Sequence, residues 1–234
     1  MKKILSFLAI SVSFSILLNS NIFGVHNITN VDVIDEVGPE GIPELIEVIR
    51  STDPEDDEVR LRALKRLGEL KAKEAVDMLI EVLETRRLLA GGKEVYNWKL
   101  KVMAAKALAQ TDDPRGAFYI ALMLRKDRDI TVKRGAAQAL GLMGERARTK
   151  TVLDVMHSEL EITRDNALAN DISEALGKIG DKSSFVYLLK VTQGKYLNYV
   201  KETAQKAIAN LKWNVPSVYE TKEESKPATE PVKK

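Results

Sequence analysis

Apolar and small residues recur along the chain in one motif with helical spacing: a large apolar residue, Ala four residues later, Leu after four more, then Gly or Ala. The five copies are Val59/Ala63/Leu67/Gly68, Leu100/Ala104/Leu108/Ala109, Val132/Ala136/Leu140/Gly141, Leu168/Ile172/Leu176/Gly177 and Val200/Ala204/Ile208/Ala209. The Leu position advances by 41, 32, 36 and 32 residues. Periods in this range are typical of stacked helical pairs and not of one closed core.

Four apolar columns can be followed through the five copies, at positions i, i+4, i+8 and i+11. Of the twenty residues in these columns, only Thr111 is polar. One face of an α-helix has this spacing, whereas a strand would need a period of two. The third column is the predicted core of the repeats: Leu67, Leu108, Leu140, Leu176 and Ile208. We expect the small residues beside it to let neighbouring helices approach closely.

The pattern predicts ten helices in five pairs. First helices are expected near 39–51, 75–89, 116–125, 147–159 and 183–191, and second helices near 58–71, 98–109, 130–143, 166–179 and 197–211. The helical region is therefore expected at 39–213, after a lead-in at 25–38 that lacks strong periodicity. Residues 214–234 are expected to form a flexible charged tail, since Pro216–Lys234 holds three Pro and eight charged residues.

The first 24 residues have the organisation of a targeting segment. Lys2 and Lys3 precede an uncharged, mostly apolar run at Ile4–Leu18. This order favours a signal peptide cleaved near Gly24, with Ser20 as the second choice. The alternative is an uncleaved membrane anchor, although 15 residues are short for a span of about 20. We expect a bacterial periplasmic or secreted protein without stable membrane insertion after cleavage.

Charge and cysteine content narrow the classes of function. Apart from Lys2 and Lys3, 34 basic residues face 34 acidic ones, so the rest of the chain is formally neutral. Neutrality counts against nucleic-acid binding, which needs a basic stripe to neutralise phosphates. The chain has no Cys, which excludes disulfides, thiol catalysis, thiolate metal sites and a lipoprotein anchor.

Two copies carry a recognisable signature of acidic residue, Val with a basic residue, and Ala-Leu-Gly. They are Asp129–Gly144 and Asp57–Gly68, and both resemble the HEAT repeat, specifically its short phycobilisome-lyase-like variety. The resemblance covers about residues 40–212 and is weakest in the fourth copy, where Ala169 replaces the basic residue. It implies an all-α, right-handed solenoid of the armadillo-type class, whose second helices line a concave face.

The resemblance leaves several functions open, because the family includes scaffolds, adaptors, subunits of chromophore lyases, a di-iron hydroxylase and a DNA glycosylase. The hydroxylase branch uses repeated His-Glu pairs as iron ligands, and this chain has no His-Glu dipeptide. Its only histidines are His26 and His157. No Gly-rich phosphate loop or G-x-S-x-G turn is present. We expect no catalytic residues, no metal and no cofactor.

A basic residue follows the first column in four copies: Arg60, Lys101, Lys133 and Lys201. These residues could form a binding stripe. In the family, however, this position ties the second helix to acidic residues of the preceding turn, and Asp57, Asp129 and Asp165 lie nearby in sequence. We favour the structural role.

Two features are candidates for partner binding. The connection at 86–98 accounts for the longest period and carries Tyr96 and Trp98, residue types that often anchor interfaces. Its alternative interpretation is a long first helix, a Gly-Gly break and Trp98 packed in the core. The second candidate is a polar column expected to face the concavity: Lys65, Lys106, Gln138, Glu174 and Lys206.

The combined expectation is a non-catalytic scaffold or adaptor that binds a protein partner in the bacterial periplasm. The alternative is a cofactor- or client-holding subunit of a modifying enzyme, as in the lyase-type HEAT proteins. Nucleic-acid binding is disfavoured by export and neutrality together.

Overall fold

The structure is a computed structural model that describes residues 31–51, 56–86, 88, 92 and 94–220. The predicted signal segment, residues 25–30 of the lead-in with His26, and the tail at 221–234 lie outside the described residues. Within the described part no helix combines the length and the apolar character needed to cross a bilayer.

Ten α-helices of nine or more residues follow one another in the described part, which contains no strand. The helices are α1 (Ile42–Arg50), α2 (Asp57–Glu69), α3 (Val76–Glu84), α4 (Trp98–Gln110), α5 (Arg115–Lys126), α6 (Ile130–Met143), α7 (Lys150–Ile162), α8 (Asn166–Ile179), α9 (Phe185–Gln193) and α10 (Asn198–Ala209). A single helical turn, Val31–Ile34, precedes α1. The prediction of an all-α solenoid of five helix pairs is confirmed, and the bounds of α6 and α8 agree with it to the residue.

The predicted end of α3 at Leu89 is wrong. The helix stops at Glu84, because Thr85 leaves the helical region with φ −70° and ψ 127°. Leu88 then pairs with Glu94 in an isolated antiparallel bridge and is 59% exposed, so the apolar pattern does not continue into a buried helix face. Arg86 donates to the carbonyl of Lys126 at the end of α5, which ties the connection to the next repeat.

The second helices form one continuous layer in the order α2, α4, α6, α8, α10, and each packs on its own first helix. The motif leucines Leu67, Leu108, Leu140 and Leu176 are fully buried between the two layers, while Ile208 is half-buried in the last repeat. Burial of these apolar side chains is the main force that holds one repeat on the next.

The small residues of the motif are where consecutive second helices touch. Gly177 faces Ala207, and a Cβ atom on that glycine would lie 2.7 Å from the Cα of Ala207. Gly141 faces Ala175 in the same way. The expected close approach is therefore present. The second helices are packed together more extensively than the first helices.

The second helices also end alike. The residue four positions after the motif leucine adopts a left-handed backbone in four copies, at Lys71, Asp112, Gly144 and Gly180. Gly180 caps α8 with φ 75°, and its N–H donates to the carbonyl of Leu176. This turn is a common way to end a helix, and here it starts each inter-repeat connection.

Residues 214–220 pack against the solenoid, although their composition predicts the start of a flexible tail. The buried carboxylate of Asp181 accepts hydrogen bonds from the Ser217 hydroxyl (2.7 Å) and the Val218 amide (3.1 Å). The hydroxyl of Tyr219 donates to Asp154 on α7 at 2.7 Å. The expected tail boundary is therefore too early, and this segment, the C-terminal strap, covers the end of the stack.

Candidate functional site

A groove of about 720 Å³ opens where α2, α4 and α6 begin. The first turns of these helices form its walls, together with the end of the 85–97 connection and the turn between α5 and α6. We call it the Trp98 groove. Its polar and aromatic rim consists of Asp57, Glu58, Glu94, Trp98, Lys99, Asp127 and Asp129.

Arg60 forms the floor of the groove and is 1% exposed. Its guanidinium donates to the carbonyl of Ile49 at 3.2 Å, to Oδ1 of Asp57 at 3.0 Å and to the carbonyl of Val95 at 2.9 Å. The same guanidinium lies 5.0 Å from the centre of the Tyr96 ring. One buried cation thus joins the end of α1, the start of α2 and the connection before α4.

Two other members of the basic column, Lys101 and Lys133, also make internal ion pairs. Lys101 is buried and lies 2.8 Å from Glu94 and 3.8 Å from Asp127. Lys133 is paired with Glu159 at 2.6 Å, and that carboxylate comes from α7 in the following repeat. These contacts support a structural role for the column and not a binding stripe.

The acidic partners differ in part from the expected ones. Asp57 pairs with Arg60 as expected, but Asp129 accepts a hydrogen bond from the amide of Thr131 and so caps α6. Asp165 caps α8 in the same way through the amide of Leu168. A carboxylate at a helix start can satisfy either a nearby lysine or the free helix amides, and sequence alone does not say which.

The structure exchanges the expected roles of Tyr96 and Trp98. Tyr96 is 3% exposed and lies in the core against Arg60, so it does not offer a surface anchor. Burial raises the pKa of its hydroxyl, and the nearby Glu81 carboxylate adds to that shift. Trp98, expected in one interpretation to be core, begins α4 and is 45% exposed on the rim of the groove. The expectation that Tyr96 contacts a partner is therefore wrong.

The first amides of α4 already have an acceptor within the chain. Oδ1 of Asn97 accepts from the amides of Lys99 and Leu100 at the start of α4. The Nδ2 of Asn97 donates to Asp57 at 2.6 Å, which fixes the start of α4 against the start of α2. The rim is therefore held in place by hydrogen bonds between neighbouring repeats.

The polar column lies on the second helices but outside the Trp98 groove. Lys65, Gln138, Glu174 and Lys206 are exposed, and Lys106 is half-buried. Two of the five pair within their own helix, Lys65 with Glu69 and Glu174 with Lys178. The structure does not bring the column together with Trp98, so the two candidate surfaces are separate.

The sequence reasoning did not identify the acidic rim residues Glu58, Glu94 and Asp127. The sequence does indicate them, since each of these carboxylates lies in or next to a turn that precedes a second helix. These turns share one edge of a solenoid. Two smaller cavities lie on this same edge, at the ends of α3 and α5 and at the ends of α7 and α9.

His157 lies in the core of the fourth pair. Its Nε2 is 2.9 Å from the hydroxyl of Ser184, and its ring stacks on Tyr187 with centroids 3.9 Å apart. Burial lowers the pKa of His157 to about 4, against the opposing charges of Asp154, Asp181 and Glu161. Because His157 and Ser184 are both buried, the pair has no access to a substrate.

Among the described residues, no group of three or more His, Asp or Glu side chains is placed to hold a metal ion.

Comparison with known proteins supports the repeat assignment. The family described as PBS lyase HEAT-like repeat matches residues 59–85, which include most of α2 and all of α3. No curated protein sequence matches the chain.

A solved structure described as "the complex of CpcE and CpcF of phycocyanin lyase from Nostoc sp. PCC7120" is similar in fold. Its TM-score is 0.56 at 23% sequence identity, over 75% of this chain and 65% of that chain. At this identity the likeness shows the fold alone. The match at residues 59–85 and the likeness in fold agree with the resemblance of the sequence to phycobilisome-lyase-like HEAT repeats and with a solenoid fold.

Proposed function

We propose that this HEAT-repeat solenoid is a non-catalytic scaffold or adaptor that holds a protein partner, and that the Trp98 groove is its principal contact. The exposed indole of Trp98 carries the proposal, because it stands beside a groove large enough for several side chains. Trp is among the residues that most often dominate binding energy at interfaces.

The construction of the groove also supports binding. The Asn97–Asp57 hydrogen bond and the Arg60 contacts hold the rim in one arrangement before a partner arrives. A preformed site loses less conformational entropy on binding than a flexible loop does. The groove therefore suits recognition of a segment of another chain.

We propose that the protein is periplasmic or secreted, in a bacterium. The support is the order of Lys2, Lys3 and the apolar run at Ile4–Leu18. N-terminal sequencing of protein purified from its native source tests this part, and a start near Val25 is expected. A chain that starts at Met1 and stays in the membrane fraction would favour an anchor.

Partner capture tests the binding function. Trp98→Ala should weaken capture of one defined protein from periplasmic extract by about tenfold or more, since a central interface tryptophan is often worth over 1–2 kcal/mol. Trp213→Ala is the matched control, because Trp213 is equally exposed but lies beside α9. Equal losses in the two variants, or none in either, contradict the proposal.

A second candidate is a client- or cofactor-holding subunit of a modifying enzyme. The observation in its favour is the similarity in fold to the CpcE and CpcF complex of a phycocyanin lyase. Visible absorbance that co-purifies with the chain, or capture of a partner whose covalent modification changes when this chain is removed, would favour the second candidate over a simple scaffold.

A further inference from the structure

The Trp98 groove has an excess of negative charge. Five carboxylates line it, from Asp57, Glu58, Glu94, Asp127 and Asp129, against the three cations of Arg60, Lys99 and Lys101. A net negative groove attracts positively charged groups and repels acidic ones.

Two of the three cations cannot meet a ligand. Arg60 and Lys101 are buried beneath the groove and are engaged with Asp57, Glu94 and two backbone carbonyls. Lys99 is thus the exposed cation of the described lining. By contrast, the side chain of Glu58 is 65% exposed, and among the described residues its only ion pair is a 3.7 Å contact with the partly exposed Arg62 on its own helix. Asp129 is exposed at the opposite wall. Once these ion pairs are set aside, Glu58, Asp127 and Asp129 remain against Lys99, so the lining keeps its negative charge.

The starts of α4 and α6 do not reverse this sign, and the start of α2, which no side chain caps, carries Asp57 and Glu58 in its first turn. Free N-terminal amides would favour an anion, but Asn97 already accepts from two amides of α4 and Asp129 from one of α6. The carboxylate of Asp129 adds negative charge at the mouth of the groove.

Trp98 supplies the surface on which a cation can rest. The Nζ of Lys99 already lies 5.7 Å from the centre of the Trp98 ring, which is the distance at which an ammonium group interacts with an aromatic face. An incoming Lys or Arg could take the place of Lys99 on the ring while its charge faces the rim carboxylates.

We propose that the Trp98 groove recognises a basic, extended segment of the partner and seats a Lys or Arg side chain between Trp98 and the carboxylates of Glu58 and Asp129. This inference rests on the proposed function, since it names the chemistry of the partner at the same site.

Trp98 also provides the measurement. The chain has two tryptophans, so Trp213→Phe leaves Trp98 as the single tryptophan reporter in an otherwise intact protein. Its fluorescence is titrated with three peptides of equal length, made of Lys and Gly, of Glu and Gly, and of Ser and Gly. The Lys peptide should give a saturable change that weakens as salt is raised, while the other two give none.

Paired substitutions locate the interaction. Glu58→Gln with Asp129→Asn should weaken Lys-peptide binding at least about fivefold, and Asn at position 129 retains the helix cap. Glu74→Gln with Glu202→Gln removes the same charge from exposed positions outside the groove and should leave binding unchanged. Circular dichroism melts of both variants check that the fold is kept.

The outcomes separate this inference from the proposed function. If the Glu or Ser peptide binds as well as the Lys peptide, or if the groove pair of substitutions has no effect, the inference is wrong. If partner capture depends on Trp98 but the Lys peptide does not bind, the scaffold function stands and the basic specificity fails. If the Lys peptide binds at the rim but capture is independent of Trp98, the proposed function fails.

Discussion

The Nη2 atom of Arg60 donates a 2.9 Å hydrogen bond to the backbone carbonyl of Val95. Val95 lies directly before the buried Tyr96 and three residues before the exposed Trp98. This hydrogen bond therefore fixes the connection before α4, and with it the rim of the groove, relative to α2. A residue of the basic column, which looks in sequence like a candidate for binding, acts instead by holding the binding residue in place.

Loss of this link should be costly. Arg60→Met removes the donor for the carbonyls of Ile49 and Val95, and a buried polar group without a partner costs about 1–3 kcal/mol. We expect chemical denaturation to show a loss of about 2 kcal/mol or more in the free energy of unfolding. Arg62→Met is the control, since Arg62 makes exposed ion pairs with Asp35 and Glu58 that are worth under about 1 kcal/mol. Equal losses would mean that Arg60 does not organise this region.

Tyr96 and Trp98 should differ in their effect on stability. Truncation of a buried aromatic residue typically costs about 3–5 kcal/mol, so Tyr96→Ala should lower the melting temperature strongly. Trp98→Ala removes a half-exposed side chain and should cost about 1 kcal/mol or less. Thermal melts by circular dichroism distinguish the two. The opposite order of melting temperatures would place Trp98 in the core and Tyr96 at the surface.

The sequence predicts which helix faces are buried better than it predicts where the helices end. Leu140 and Leu176 recur at helical spacing, and their burial follows from the periodicity alone. The end of α3 could not be read in this way, because the apolar Leu88 and Leu89 continue the helical pattern after the backbone has left the helix at Thr85. Local hydrophobicity does not report a chain reversal that depends on contacts with the next repeat.

The candidate site shows the same limit. The sequence correctly marks the connection with Tyr96 and Trp98 as unusual, but Tyr96 is buried against Arg60, which is more than thirty residues earlier. Likewise, the polar composition of the C-terminal strap does not reveal that the hydroxyl of Ser217 donates a hydrogen bond to Asp181. Both contacts link residues far apart in sequence, and composition carries no information about them.

His157 should make the fold sensitive to mild acid. Burial lowers its pKa to about 4 in the folded chain, against about 6.5 when unfolded, so the unfolded state binds the extra proton between these values. Stability should therefore fall as the pH drops from 6.5 to 4, by about 1.4 kcal/mol for each unit of pKa difference. Asp154, Asp181 and Glu161 face the ring and oppose the shift.

Chemical denaturation at several pH values measures this effect. His157→Gln should flatten the fall between pH 6.5 and 4 while lowering stability at pH 7, since Gln cannot reproduce the stacking on Tyr187. If the variant and the parent lose stability in parallel over this range, another group is responsible.

The C-terminal strap should stabilise the last repeats. A chain that ends at Trp213 loses the Ser217 and Val218 donors to the buried Asp181 carboxylate, as well as the bond from Tyr219 to Asp154. Burial alone would raise the pKa of Asp181, but these donors and the Ser183 amide hold it at about 2. Asp181 keeps Arg148 and the Ser183 amide as donors, but each hydrogen bond lost from the strap is worth about 0.5–1.5 kcal/mol. We therefore expect the melting temperature to fall by about 3 °C or more.

A chain that ends at Glu220 is the control for the strap, because it keeps all of these contacts. It should melt at the temperature of the full chain. A fall of equal size in both truncated chains would show that residues 221–234, and not the strap, are responsible.

Site-specific photo-crosslinking tests the central claim most directly, namely that a protein partner binds at the Trp98 groove. A photoreactive amino acid is placed at Lys99 on the groove rim or at Phe118, which is exposed on α5 and does not line the groove. We predict that one defined protein is crosslinked from Lys99 in periplasmic extract, not from Phe118, and that Trp98→Ala removes the adduct. Adducts formed equally from both positions, or from Phe118 alone, would contradict the account.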